Sequence, residues 1–116
     1  MQLKSDKQLG SVHVANSVIA EIAGAVTTDC YGVVGMAARS VKDDIVKLIK
    51  SDITRGINVV VEDSGIVLDI HIIVQYGVNI NTICKSIVNR VRYAIETNVG
   101  LKVNRINVKV EGVRQN

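Results

Sequence analysis

The sequence predicts an α/β (α+β) fold: a two-layer sandwich with helices on one face of a small, mixed, mostly antiparallel sheet. Three observations predict it: a hairpin pattern over 57–76, a helical pattern over 80–96 and another strand pattern over 105–111. Each strand pattern alternates between an aliphatic side and a mixed polar side. A sheet with one apolar face needs cover on that face only, which favours two layers over a doubly wound fold.

The composition indicates one domain over residues 1–116, in which 1–9 and 113–116 are expected to be loosely ordered. Hydrophobic residues make up 47 % of the chain and its mean hydropathy is +0.27, which excludes a disordered segment. Aromatic residues make up 3 %, so Val and Ile must build the core, as suits a sheet. With neither a signal peptide nor an apolar run of roughly 18 residues, we expect a cytoplasmic protein. Cys30 and Cys84 are then expected to be free thiols.

The first quarter of the chain is predicted to hold a short strand and a helix. Ser11–Val14 alternates and indicates the strand. Asn16 or Ser17 is expected to cap the helix, and Gly32 to end it. The apolar residues of that helix recur on a 3.6-residue period, and they are Val18, Ile19, Ile22, Ala23 and Val26.

The next two segments are less regular. Val33–Arg39 is short, apolar and interrupted by glycine, and we interpret it as a loop or an edge strand. Val41–Ser51 is predicted to form a second helix. Its acidic residues come first and its lysines last, an order that suits the helix dipole.

An antiparallel hairpin is predicted from Ile57–Glu62 and Ile66–Tyr76. If Ser64-Gly65 forms a two-residue loop, Glu62 pairs with Val67. An offset of two residues keeps the same faces. A shift of one residue would turn the polar side chains of the strand toward the core, and the alternating pattern therefore excludes that register.

A long helix and a last strand complete the pattern. Asn79 or Asn81 is expected to cap the helix, and Gly100 to end it. The predicted buried stripe of the helix is Ile80, Ile83, Cys84, Ile87, Val88, Val91, Ala94 and Ile95. The last strand turns Ile106, Val108 and Val110 to one side. One core is expected to contain Val59, Ile70, Ile87 and Val108.

No residue pattern predicts catalysis, a metal site or a cofactor site. His13 and His71 are the only histidines, and neither has ligand-type neighbours at metal-site spacing. Cys84 lies on an apolar stripe, the usual place of an inert thiol. No phosphate-binding glycine loop occurs. We therefore predict a protein that is not an enzyme.

The last third of the chain is basic, with seven Lys and Arg against two Glu over residues 79–116. Such a segment can meet an anionic partner. The candidate contacts are Lys85, Arg90, Arg92 and Lys109. The alternative function that they suggest is a basic nucleic-acid-binding module. The sequence lacks helix-turn-helix spacing, an aromatic sheet platform and a Gly-x-x-Gly loop between helices, which disfavours that alternative.

The mixed side of the predicted sheet is a candidate interface. It combines aliphatic anchors with a polar rim, as protein interfaces do. Its candidate contacts are Val60, Val67, Ile73, His71, Asn107 and Lys109. We predict a homo-oligomer that uses this side or an edge strand. A buried imidazole there would weaken association as pH falls through roughly 6.5.

Several segments carry a resemblance to a known family: Gly10-Ser-Val-His-Val, Tyr31-Gly-Val-Val-Gly, Gly56-Ile-Asn-Val-Val-Val-Glu, Val67-Leu-Asp-Ile-His-Ile-Ile-Val-Gln-Tyr-Gly and Gly100-Leu-Lys-Val-Asn-Arg-Ile-Asn-Val-Lys-Val-Glu-Gly-Val. Their succession over about residues 8–113 resembles the alkaline shock protein family of Gram-positive bacteria, also called the envelope stress response family. The resemblance implies a small cytoplasmic α/β protein linked to envelope or alkaline stress, without established enzyme activity. In some members a separate anchoring partner provides membrane association.

The residues and the resemblance together favour a non-enzymatic structural or adaptor protein that acts by protein–protein contacts and self-association. We expect a protein partner, and that partner can be a membrane-anchored one. No small-molecule substrate is evident from the sequence.

Overall fold

The computed structural model describes residues 5–39, 46–49 and 53–115. Two helices and five strands lie in these ranges, which confirms the predicted mixed α/β class. The helices are α1 (Ser5–Thr28) and α2 (Ile80–Asn98). The strands are β1 (Val33–Arg39), β2 (Val46–Ile49), β3 (Ile57–Glu62), β4 (Gly65–Gln75) and β5 (Val103–Arg114), and a 3-10 turn (Ile53–Gly56) precedes β3.

Strand β4 is the centre of the sheet. Along one edge it pairs in parallel with β5 from Ile66 to Gln75. Its first half pairs antiparallel with β3, and its residues Ile72–Val74 pair antiparallel with β1. Strand β2 pairs antiparallel with β1. The sheet is therefore mixed and mostly antiparallel, as predicted.

Both helices cover the same face of this sheet. The β4 side chains on that face are fully buried, and they are Ile66, Leu68, Ile70, Ile72 and Val74. They share one core with Ile19 and Ala23 of α1 and with the buried side of α2. The predicted common core is confirmed, because Ile70 and Ile87 lie in it and Val59 and Val108 pack against it.

The hairpin between β3 and β4 is confirmed, in the register offset by two residues. Glu62 pairs with Gly65, and Val59 with Leu68, so Asp63-Ser64 is the two-residue loop. Gly65 permits this arrangement, because a Cβ there would stand 2.6 Å from the carbonyl oxygen of Lys102. The amide of Ile66 donates to that same oxygen over 2.9 Å, which joins the start of β5 to the hairpin.

Helix α2 follows its predicted pattern. Asn79 caps it, and its side-chain oxygen accepts from the Thr82 amide over 3.1 Å. Gly100, with φ +81°, lies just beyond the last turn, where glycine adopts a left-handed conformation at little cost. The fully or nearly fully buried residues are Ile83, Ile87, Val91 and Ile95. Ile80, predicted to be buried, keeps 42 % of its surface exposed.

Helix α1 corrects two predictions. The strand over Ser11–Val14 is wrong, because these residues are helical, and the helix begins at Ser5 rather than at an Asn16 or Ser17 cap. Residues 5–9, predicted to be loosely ordered, form its first turns. A helix extends by one hydrogen bond per residue once it is nucleated, and no proline interrupts this segment. The helix ends at Thr28, and Gly32 lies in the turn before β1.

The segment after α1 corrects two further predictions. Val33–Arg39 is a strand, but it lies between β2 and β4 rather than at an edge. The helix predicted over Val41–Ser51 is wrong for Val46–Ile49, which form β2, and the rest of that range lies outside the described residues. Pairing with the free edge of β1 satisfies the backbone of Val46–Ile49, and this tertiary effect overrides local helix propensity.

Strand β5 extends to Arg114, into the segment 113–116 that was predicted to be loosely ordered. Two bulges interrupt its pairing with β4, at Asn104 and at Glu111. Between them, residues 105–110 pair without a break with residues 67–72. The middle of β5 is therefore a regularly paired strand segment.

We expect Ile70→Ala to lower the free energy of unfolding by about 2–5 kcal/mol, because it opens a cavity beneath a fully buried side chain. Urea unfolding followed by circular dichroism measures this loss. Val60→Ala is the matched control, since Val60 lies in the same hairpin but is 44 % exposed. A loss below about 1 kcal/mol for Ile70→Ala would contradict the assignment of the buried face.

Candidate interaction surfaces

The face of the sheet opposite the helices is called here the outer face. It is formed by alternate residues of four strands, and its members include Gly35, Asn58, Val60, Val67, Asp69, His71, Ile73, Asn107, Lys109 and Glu111. Asn58, Asp69 and Asn107 lie side by side across β3, β4 and β5, because the register pairs Asp69 with both asparagines. The sequence predicted this face as an interface.

The aliphatic residues of the outer face differ in exposure. Val60 is 44 % exposed, whereas Val67 keeps 8 % and Ile73 keeps 2 % of its surface. Strand β4 is flanked on both edges, so side chains of neighbouring strands shield its outer-facing residues. Val67 and Ile73 are therefore not surface anchors, contrary to what their alternation suggested, and Val60 remains as the exposed one of the three.

The polar residues of the outer face form two hydrogen-bonded pairs. Asn107 donates through Nδ2 to Oδ1 of Asp69 over 2.8 Å. Nδ1 of His71 lies 2.7 Å from Oε2 of Glu111, and the His71 side chain is 31 % exposed. Glu111 is the extra residue of the second β5 bulge. These contacts fix four polar side chains on a surface that solvent can reach.

The hydrogen bond from Asn107 lowers the pKa of Asp69 below its usual value of 3.8. Partial burial opposes this shift, and the nearby positive charge of Lys109 adds to it. Asp69 is therefore ionised at neutral pH and accepts hydrogen bonds there. The predicted weakening of self-association on protonation of His71 stays a prediction, and the structure adds that this imidazole has a carboxylate neighbour.

A depression of 340 Å³ lies at one end of the outer face. His71 and Glu111 line it, together with Asn58 and with Arg55 of the 3-10 turn. It joins a guanidinium, an amide and the His71–Glu111 pair in one concave surface. The sequence did not predict this juxtaposition, because Arg55 and Glu111 come from opposite ends of the sheet region.

A larger groove of 800 Å³ runs between α2 and β5. Its lining residues come from one side of the helix and from four consecutive strand residues, and they are Cys84, Lys85, Val88, Asn89, Ile106, Asn107, Val108 and Lys109. Consecutive strand residues point to opposite faces of a sheet. A groove lined by all four must therefore follow the edge of β5 rather than one face.

The four predicted anionic-partner contacts fall into separate places. Lys85 and Lys109 line the groove. Arg92 lies two turns beyond Lys85 on the same side of α2, as a seven-residue spacing requires. Arg90 points to the end of α1, where Nη2 lies 2.9 Å from Oδ2 of Asp29. The four residues do not form one continuous basic surface, which weakens the nucleic-acid alternative.

Arg90 also donates from Nη1 to the sulfur of Cys30 over 3.4 Å. Asp29 and Cys30 both contact Arg90 at the end of α1. The sequence did not predict these contacts, because only the fold brings together residues that lie so far apart in the chain.

Cys84 is a free thiol whose pKa is raised by burial, so it stays protonated at neutral pH and is a poor nucleophile. Within 5–39, 46–49 and 53–115, no three His, Cys, Asp or Glu residues group as metal ligands would.

Neither helix in the described part of the chain combines the length and the apolar character needed to cross a membrane.

Comparison with known proteins gives a consistent family assignment. The sequence model of the alkaline shock protein family, which is described as having a cell envelope-related function, matches residues 4–115. This confirms the family resemblance noted in the sequence. No solved structure matches the chain significantly.

The curated relatives come from Gram-positive bacteria. The chain is 35 % identical to the uncharacterized protein YloU of Bacillus subtilis, over 98 % of this chain and 97 % of that protein. It is 34 % identical to the uncharacterized protein Spy1614 of Streptococcus pyogenes, over 98 % of this chain and 96 % of the relative. It is also 28 % identical to the uncharacterized protein YqhY of Bacillus subtilis, over 94 % and 81 % of the two chains.

We expect Asp69→Asn to be less stable than wild type at pH 7, and this difference to shrink as pH falls below about 4. Because the pKa of Asp69 is lowered in the folded chain, falling pH protonates this carboxylate in the unfolded chain before it does so in the folded chain. The ionised carboxylate thus stabilises the fold above the usual value of 3.8, and that contribution is lost as pH falls through the lower folded-state pKa.

Urea unfolding of both proteins from pH 7 to pH 2.5 measures the difference. Asn107→Ala is the companion variant, because it removes the hydrogen bond that lowers the pKa of Asp69 most. In this background the effect of Asp69→Asn on the free energy of unfolding should depend less on pH. A difference between wild type and Asp69→Asn that is constant over this range would contradict the prediction.

Proposed function

The chain belongs to the alkaline shock protein family, whose described function is cell envelope-related, and from that premise we propose that it is a non-enzymatic structural or adaptor protein. It acts by protein–protein contacts and self-association. We place it in the cytoplasm, with access to the membrane through a partner. The free thiols of Cys30 and Cys84 support this location, because they suit a reducing compartment.

The observation that carries the proposal is the outer face. Both helices lie on the opposite side of the sheet, and the outer face holds two fixed polar pairs beside the exposed side chain of Val60. Interfaces have this composition, with an apolar contact inside a polar rim. Polar side chains already held in place lose little conformational entropy on association, which lowers the cost of binding.

The second copy of the chain is the occupant that this face fits best. Val60 lies on β3, and within the described sheet β3 pairs with β4 alone, so its other edge is open. A partner copy that covers Val60 also reaches this edge. A contact at Val60 alone would bury little surface. Pairing along the edge of β3 in addition would give a larger interface.

We expect Val60→Lys to reduce self-association, because it replaces the exposed apolar side chain of the proposed contact with a charged one. Val61→Lys is the matched control. Val61 is the next residue of β3 and is 42 % exposed against 44 % for Val60, but alternation turns it to the other side of the sheet. Sedimentation velocity at micromolar concentration and pH 7.5 compares both variants with wild type.

The expected result is a dimer or larger assembly for wild type and Val61→Lys, and a monomer for Val60→Lys. Both valines are exposed, so each substitution should change the free energy of unfolding by less than about 1 kcal/mol. A monomeric wild type would contradict self-association. Equal association of Val60→Lys and wild type would exclude the outer face as the contact.

A further inference from the structure

We propose that the groove between α2 and β5 binds an extended acidic segment of a partner protein, which adds to the sheet as a strand beside β5. The inference rests on the proposed adaptor function, since it names the chemistry of the partner. It concerns a different surface from the self-association contact at Val60. Three features of this surface support such binding: the backbone of β5, the shape of the groove and its charge.

The backbone of β5 offers a free row of hydrogen-bonding groups. Among the described strands β5 pairs with β4 alone, and between its bulges residues 105–110 keep an unbroken register. Backbone N–H and C=O groups of a strand point alternately to its two edges. Every second residue of this segment therefore presents its groups outward, and six residues suit a strand of typical length.

The groove provides room for the side chains of an added strand. Its apolar lining is Val88, Val108 and Ile106, and Ile106 is 8 % exposed. Its volume of 800 Å³ lies in the range of ligand sites, about 300–1,000 Å³. Strand addition obtains affinity from main-chain hydrogen bonds and specificity from pockets that take alternate side chains. One side of the added strand must then be apolar, to contact this lining.

The charge of the groove selects acidic residues on the added segment. Lys85 on the helix and Lys109 on the strand are both exposed, and neither forms a salt bridge with a carboxylate in the described ranges. Lys109 points to the outer face, as does Arg105 farther along β5. The expected ligand therefore turns apolar residues to the Val88, Ile106 and Val108 lining and acidic residues to Lys109 on the outer face, and the exposed Lys85 adds to the attraction of the groove for an acidic segment.

A second copy of β5 fits this edge poorly. Its strand carries Arg105, Lys109 and Arg114 against Glu111, and like charges on neighbouring strands are destabilising. A single-stranded nucleic acid also fits poorly, because its bases need aromatic stacking surfaces and no aromatic residue lines the groove. An extended acidic peptide can place carboxylates near Lys85 and Lys109 and can also form hydrogen bonds with backbone groups of β5 that pair with no other described strand.

The test measures binding of short labelled peptides to the full chain by fluorescence anisotropy. The probe is a peptide of four Val-Glu repeats, and its charge control is a peptide of four Val-Lys repeats. Two more peptides carry N-methyl groups, on all Val or on all Glu residues. In an added strand, either the N–H groups of the Val residues or those of the Glu residues point toward β5, and the other set points away from it.

We expect saturable binding of the Val-Glu peptide and at least about tenfold weaker binding of the Val-Lys peptide. One N-methylated peptide should lose binding and the other should keep it. The double variant Lys85→Glu/Lys109→Glu should bind the Val-Glu peptide at least about tenfold more weakly. The control Arg55→Glu/Lys102→Glu has the same change of net charge at exposed residues outside the groove and should bind like wild type.

Several results would overturn the proposal. Lack of binding by the Val-Glu peptide would mean that the lysines only guard the edge against aggregation. Equal binding of a short oligothymidine would indicate a general anion surface. Equal effects of the two methylation patterns would exclude strand addition. Val60→Lys should bind the peptide normally, so failure of self-association and failure of this proposal are distinguishable.

Discussion

Every other part of this structure depends on the pairing of β4 along both of its edges. One edge takes β5 over the whole length of the strand, and the other takes β3 first and β1 afterwards. The side chains of β4 that face the helices are fully buried. Removal of this strand would separate the remaining four into β3, β5 and the β1–β2 pair. The central position of β4 thus fixes where each other strand lies.

This arrangement explains where the candidate surfaces lie. Both helices bury their apolar sides on the same face of β4, so polar residues at alternate positions of β4 must turn to the outer face. Asp69 and His71 occupy such positions, and β5 supplies Asn107 and Glu111 as their partners. Strand β5 covers one edge of β4. No other described strand pairs with the second edge of β5, and the groove lies along that edge beside α2.

The sequence was informative wherever the pattern repeats locally. Alternation over β3 and β4 limited the hairpin to registers of one parity, and the period of α2 identified its buried side. The strand Val46–Ile49 was missed because its backbone is satisfied by β1, a tertiary effect absent from its own residues. The burial of Ile73 was missed for a related reason. Alternation shows which face a residue takes, but only the neighbouring strands decide how far it is covered.

The sequence could not predict the groove between α2 and β5. Lys85 and Lys109 both lie in the basic third of the chain, but nothing in their spacing indicates that they line the same groove. Nor does the spacing indicate that Arg90, in the same third, pairs with Asp29 instead. Sequence reasoning found the residues but not their grouping. Cys84 and Val88 were predicted to be buried, and both are half-buried residues that line the groove, although Val88 also packs against the core.

Residue-by-residue amide hydrogen exchange of the Val60→Lys variant, which is expected to be monomeric, tests by NMR the central claim that β4 is paired along both edges and β5 along one edge. We predict slow exchange along β4 from Val67 to Ile70 and from Ile72 to Val74, where strands pair with both edges. Within residues 105–110 we predict alternation, with every second amide slow and the intervening amides fast. Uniformly slow exchange through 105–110 would contradict the account, because it would mean that the outer edge of β5 is already paired.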